Sequence, residues 1–323
     1  MKYYLYKLHF NTPVHLGNAE SARSRESAGN AYCADTLFSA LCHIAVKAGC
    51  LETILNAVND DALLLSDGMP YDEKELYLPK PLLAPENEVA SEHRKYLNRL
   101  KYIPLGQFRQ YMGFVDGQES FEMTDFRTSF GETQIVKKVS LKETVPSPYS
   151  VAVYSFDKDC GIYGLICCEN RDIAELFRRL LDMLGLEGIG GRVSAGYGKF
   201  TVVSFQKLED VHENAVRDLA EMLENSGSSS QMILTTSLPD EKALPEIMGN
   251  ASFSLVKRGG FVFSAALTDY VKKDSQYFFA AGSVFQKRYE GMVHRVGHGL
   301  PHPVYRYGKP IFLGVTNDKE CSS

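Results

Sequence analysis

The sequence has no apolar run approaching the ~20 residues that cross a bilayer. Its N-terminus, MKYYLYKLHFNTPVHLG, has neither an apolar h-region nor a small-residue cleavage site. It reads as mature, soluble structure, expected in the cytoplasm with no membrane partner. Cysteine is sparse: seven residues, none in a C-x-x-C pair and one left over from any pairing. That suits reduced thiols better than a disulfide framework. Positive charge is not in excess, and a net charge of −5 argues against indiscriminate coating of nucleic acid. There is no G-x-S-x-G, no nuclease-type His–Asp pair and no short tandem repeat. These absences agree with a protein that is not an enzyme and takes no cofactor.

What is present describes a folded chain. Its 323 residues, 44% hydrophobic and 23% charged, are enough for two ordinary domains with sizeable cores. Charge is uneven: Glu209 to Glu224 is acid-rich, whereas Lys287 to Lys309 carries Lys287, Arg288, Arg295, Arg306 and Lys309 against Glu290 alone. A small basic site on an acidic body fits one defined nucleic-acid segment, and it equally fits an ordinary folded protein.

Lys2 to Phe10 places Tyr3, Leu5 and Lys7 on one face and Tyr4, Tyr6, Leu8 and Phe10 on the other, without Gly or Pro, as a strand largely covered on both sides does. Thr12-Pro13 ends it, and a polar loop from Asn18 to Asn30 carries Arg23 and Arg25. ADTLFSALCHIAVKAG then has helical spacing, with Asp35 or Thr36 as its cap and Gly49 as its stop. Ala62 to Leu65 and Glu75 to Leu78 are short strands, and Ser91 to Met112 is helical with an interruption at Pro104. Phe126 to Phe130 and Thr133 to Leu141 flank Gly131 as a hairpin whose second arm bears Lys137, Lys138 and Lys142. Tyr149 to Phe156 and Gly161 to Cys168 are strands. Arg171 to Leu184 is an amphipathic helix stopped by Gly185, and TVVSF is a further strand. Strand, helix, strand, insertion, strand, helix, loop, strand is the βαββαβ ferredoxin-like plan. After the break NSGSSS, a second α+β domain has strand candidates at 232–235, 251–256, 261–264, 277–280 and 311–315, and a short helix at 238–247.

Gly185 to Phe200 is the most informative segment. Gly188, Gly190, Gly191, Gly196 and Gly198 surround Arg192, Ser194, Tyr197 and Lys199. Glycine lets backbone N–H groups approach a phosphate, the cations add charge, and Tyr197 offers a face to a base. The spacing is neither a P-loop nor a Rossmann fingerprint, and a helix precedes the loop instead of following it. A helix cap followed by a plain glycine-rich connection is the alternative.

GIGGRVSAGYGKF resembles the glycine-rich signature of the RAMP superfamily of CRISPR proteins. TPVHLG, ADTLFSAL, LYLPKP and HPVYRYGKPIFLGV are similar to the fourth-subunit family of the Csm (type III-A) effector complex, in the expected order from Lys2 to Val315. The resemblance implies an α+β fold of two ferredoxin-like (RRM-like) domains. The first, 1–206, would carry long insertions including a hairpin thumb, and the second, 207–323, would be degenerate. It implies a non-catalytic, antiviral-defence role: gripping the single-stranded 5′ repeat-derived handle of the CRISPR RNA (crRNA) beside a large polymerase-like subunit and a backbone RAMP subunit. FRTSFGETQIVKK matches the family less well than its surroundings.

Against that background the RNA-binding candidates are His15, Arg23, Arg25, Lys137, Lys138, Gly190, Gly191, Arg192, Ser194, Gly196, Tyr197, Gly198, Lys199, His302 and Arg306. Amide-rich, cationic turns from the two domains, one with Arg192 and one with Arg306, are expected to converge into one groove. His15 is assigned to binding, although some RAMP relatives use a histidine near this place as a general base. A metal-independent CRISPR RNA-processing endonuclease is thus the alternative reading. Lys137 and Lys138 either line the RNA path or belong to a solvated arm. His294, His298 and His302 are four apart, but Gly297, Gly299, Pro301 and Pro303 forbid the helix that would align them on a metal, so none is expected there.

Overall fold

The computed structural model describes residues 1–17, 28–89, 91–121, 126–140, 147–262, 264, 267, 271–297 and 300–315. The chain opens with β1 (Lys2–Phe10), α1 (Ala34–Ala48), α2 (Leu51–Asn59), β2 (Leu63–Leu65), β3 (Met69–Tyr71) and β4 (Tyr77–Pro79). Then come α3 (Ser91–Arg99), β5 (Tyr102–Pro104), α4 (Phe108–Val115), β6 (Gly131–Ser140), β7 (Ser147–Phe156), β8 (Gly161–Cys168), α5 (Arg171–Glu187) and β9 (Phe200–Lys207). The remainder holds α6 (Asn214–Glu224), β10 (Gln231–Ile233), α7 (Leu244–Ile247), β11 (Leu255–Arg258) and β12 (Gln276–Phe279). It closes with β13 (Val284–Phe285), β14 (Val293–Arg295), β15 (Tyr305–Tyr307) and β16 (Phe312–Gly314).

The main sheet is antiparallel, in the order β2-β8-β1-β9, with β3 also pairing β8. Alternation along β1 and β8 sends residues to two different cores. Tyr6, Leu8, Ile162 and Ile166 pack with Leu37, Phe38 and Leu41 of α1 and Phe177 and Leu181 of α5. Leu5, Tyr163, Leu165 and Cys167 pack with Met112 of α4, Leu219 of α6, Met232 of β10 and Leu313 of β16. Both faces of the sheet are therefore covered, and neither is open for a ligand in the manner of an RRM.

The second half adds a three-stranded sheet, β13-β10-β16, and the pairs β11-β12 and β14-β15. Buried polar contacts lock it to the first half. Thr235 Oγ1 donates to the Leu65 carbonyl at 2.9 Å, and Leu65 N–H donates to the Tyr307 hydroxyl at 2.8 Å. Asp67 accepts from the N–H groups of Ala34 and Thr236 and from the Thr236 hydroxyl.

Several local expectations change. The helix expected over Ser91 to Met112 is broken into α3, β5 and α4, because Pro104 ends a strand that pairs with β4. The hairpin lies one strand later than expected, between β6 and β7, in register from Gly131↔Phe156 to Ser140↔Ser147. Phe126 and Phe130, expected in its first arm, are buried near its root instead. Neither Asp35 nor Thr36 caps α1: its N-cap residue is Cys33, whose side chain makes no capping hydrogen bond. Asp35 is instead held by the Arg258 guanidinium, with donors at 2.6 and 3.0 Å. α5 runs through Gly185 and stops at Gly188, and of the helix expected at 238–247 only α7 forms.

Candidate nucleic-acid interface

α5 ends at Gly188, and the chain crosses to β9 as a loop strapped to the segment after β1. The N–H groups of Gly191 and Gly198 donate to the carbonyls of His15 and Pro13, both at 2.8 Å. Lys199 N–H donates to Thr12 Oγ1 at 3.0 Å. Gly190 and Gly198 have φ of 90° and 77°. A Cβ at Gly198 would strike the Ile189 carbonyl, and one at Gly190 would lie 2.6 Å from the His15 carbonyl oxygen. Only glycine fits both places. Arg192 is left-handed too, with φ 65°, an uncommon state for a residue with a Cβ. It starts a single tight turn, Val193–Ala195. Among the described residues, no acceptor meets the N–H groups of Arg192, Val193 or Ser194. Clustered free amides of this kind attract anions.

The same segment holds the hairpin on its other side. Val14 and Tyr154 exchange backbone hydrogen bonds of 2.8 and 2.7 Å. His15 Nδ1 lies 2.7 Å from the Ala152 carbonyl oxygen. A carbonyl only accepts, so Nδ1 carries a proton and donates it there. The imidazole also packs on Gly191, where a Cβ would be 2.5 Å from His15 Cδ2. His15 is thus the joint between hairpin and glycine loop.

Lys138 and Tyr149 are direct partners across the hairpin and share a face. Lys138 Nζ lies 4.5 Å from the Tyr197 ring centroid, and Arg192 Cζ lies 5.0 Å from the Tyr149 centroid. Half-buried contacts of this type are each worth about 0.5–2 kcal/mol. Lys137, on the opposite face of the same arm, and Lys199, at the end of the loop, are exposed. Among the described residues no carboxylate pairs with Lys137, Lys138, Arg192 or Lys199. Their charge is left to act outward, on an acidic protein.

The structure therefore brings together His15, Lys138, Gly190, Gly191, Arg192, Ser194, Gly196, Tyr197, Gly198 and Lys199. Arg23 and Arg25 lie outside the described residues. Arg306 is a correction. It is 3% exposed and donates to the carbonyls of Asp274 and Gly259 and to Gln276 Oε1, at 2.8, 3.3 and 3.1 Å. It also approaches Asp35 at 3.8 Å. With its donors turned inward it cannot line a groove with Arg192; it organises the C-terminal signature from within. His302 is half-buried, with Nδ1 3.1 Å from the Pro303 carbonyl and Nε2 2.7 Å from Ser264 Oγ. Tyr149 joins the site from the structure alone, because nothing in the sequence gives the register that sets it opposite Lys138.

Comparison with known proteins agrees with this architecture. The family model of the CRISPR Csm4 C-terminal domain matches residues 226–315. A Mycobacterium tuberculosis (strain CDC 1551 / Oshkosh) protein named "CRISPR system Cms protein Csm4" is 31% identical over 286 residues, covering 87% of this chain and 89% of its own. A Streptococcus thermophilus protein of the same name is 30% identical over 324 residues, covering 97% of this chain and 99% of its own. A solved Csm3–Csm4 subcomplex of the type III-A CRISPR-Cas interference complex aligns with a TM-score of 0.64 at 16% identity, covering 98% of this chain and 100% of the other. A Csm1–Csm4 cassette with pppApA aligns at 0.60 and 22%, covering 98% of each chain. At those identities the structural likenesses speak for the fold. Fold and relatives together define the class: a protein of a CRISPR system. Within that class, the chain belongs to the Csm4 family.

Proposed function

We propose that this chain is a non-catalytic subunit of a type III-A CRISPR effector complex. In that role it binds the single-stranded 5′ repeat-derived handle of crRNA at the hairpin–loop surface and helps anchor the large polymerase-like subunit. The observation that carries the reading is the convergence of Lys138, Tyr149, Arg192 and Tyr197, with unpaired cations and free loop amides, on one preorganised joint. Phosphate contacts, stacking and splayed bases are how unpaired RNA is recognised.

The sheet order β9-β1-β8-β2, with α1 and α5 packed on one face, is the ferredoxin-like arrangement. It supports reading 1–206 as the first such domain, 207–323 as a degenerate second, and β6–β7 as the thumb. Among the described residues no helix is long and apolar enough to cross a membrane; a cytoplasmic setting fits the free cysteines. Relatives solved with Csm1 and with Csm3 support those two as the protein neighbours.

The endonuclease reading retains one observation: the His15 imidazole beside the glycine loop. Incubating the protein with repeat RNA in EDTA separates the two. The expected result is bound, intact RNA, and co-purification with Csm1 and Csm3 partners. Sequence-specific cleavage lost in His15→Ala would overturn the non-catalytic assignment.

A further inference from the structure

The two cation–ring contacts are crossed. The hairpin supplies Lys138 to the loop's Tyr197, and the loop supplies Arg192 to the hairpin's Tyr149. Because Lys138 and Tyr149 are register partners, all four groups form one square between the two arms. Tyr149 and Tyr197 are half-buried and the two cations over them have no carboxylate partner among the described residues, so no ion pair holds those cations in place.

We infer that Tyr149 and Tyr197 are the stacking surfaces for two bases of a single-stranded RNA, Lys138 and Arg192 covering them until the bases displace these cations onto the flanking phosphates. This rests on the hairpin–loop surface being the RNA site, and it goes further by naming the two rings and the exchange. A cation on a ring is held by about 0.5–2 kcal/mol and a stacked base by about 1–3 kcal/mol, so the exchange runs toward the base. Displacement costs the cations little, since each gains a phosphate oxygen with which it forms a stronger, charge-assisted contact. The rings lie on arms tied to the same Thr12–His15 segment, so their spacing is set before RNA arrives.

The test is fluorescence-anisotropy binding of a labelled single-stranded handle RNA to the full chain. Variants are Tyr149→Leu, Tyr197→Leu and the corresponding Phe substitutions, each checked for an unchanged melting temperature. Each Leu variant is expected to weaken binding roughly 5- to 150-fold, with the salt dependence unchanged, while the Phe variants stay within about 3-fold. Lys138→Met and Arg192→Met should each lower the salt slope by about 0.7. An abasic position in the RNA should weaken wild type but not the Leu variant whose ring it faced. Wild-type affinity in both Leu variants, or equal loss in Leu and Phe variants, would overturn the stacking assignment while leaving RNA binding in place. No binding by wild type would overturn both.

Discussion

Asp67 Oδ2 accepts the Thr236 hydroxyl at 2.6 Å, and Oδ1 accepts the Thr236 and Ala34 N–H groups at 2.9 and 2.8 Å. One buried carboxyl therefore joins the start of α1 to the second half of the chain. Burial raises its pKa from 3.8 to about 6, against the opposing effect of these three donors.

That shift makes stability pH-dependent. Between pH 3.8 and about 6 the folded state holds a proton that the unfolded state has lost. The contribution is complete below the unfolded pKa and is lost as pH rises through the folded one, a change of about 3 kcal/mol over the whole window. In Asp67→Asn the amide oxygen still accepts both N–H groups and the amide nitrogen donates to the Thr236 hydroxyl. Urea melts should show the stability of the Asp67→Asn variant, relative to wild type, rising by about 2 kcal/mol from pH 4 to pH 7. A pH-independent difference would remove Asp67 as the cause.

Arg306 and Arg192 should separate stability from binding. Arg306→Met strands three internal acceptors and leaves Asp35 with a poorer set of partners. A loss of about 3 kcal/mol is expected in denaturant melts, with RNA affinity unchanged at temperatures where the variant is folded. Arg192→Met should do the opposite: near-native stability and weaker RNA binding.

The loop glycines give an internal control. Gly196 has φ 86° with open space around its Cβ position, whereas a Cβ at Gly198 strikes the Ile189 carbonyl. Gly196→Ala should cost about 1 kcal/mol, the ordinary penalty for a left-handed alanine. Gly198→Ala should cost several-fold more and disturb RNA binding as well, because the strap to Pro13 must move. Equal melting temperatures for the two would contradict the described loop.

The long amphipathic segments are legible in the sequence: β1, α1, β8, α5 and β9 stand close to where their periodicity puts them, because each buries a regular apolar face. Two elements of three residues are not, although β2, β4, β10 and β16 fall on expected strands. β3 and β5 carry no period of their own and exist only by pairing with β8 and β4. The glycine loop is readable because positive φ and close backbone approach demand glycine at Gly190 and Gly198. Arg306 misleads because an arginine between tyrosines looks the same in sequence whether it faces solvent or three carbonyl and amide oxygens. Tyr149 is invisible without the hairpin register.

The central claim is that RNA is held by charge at the joint of hairpin and glycine loop. Its most direct test is the slope of log affinity against log salt for a single-stranded handle RNA. Wild type is compared with a variant carrying Met at positions 138, 192 and 199. Removing three phosphate contacts should flatten the slope by about 2 and weaken binding most at low salt. An unchanged slope and affinity in the folded variant would place the RNA elsewhere on the protein and contradict this account.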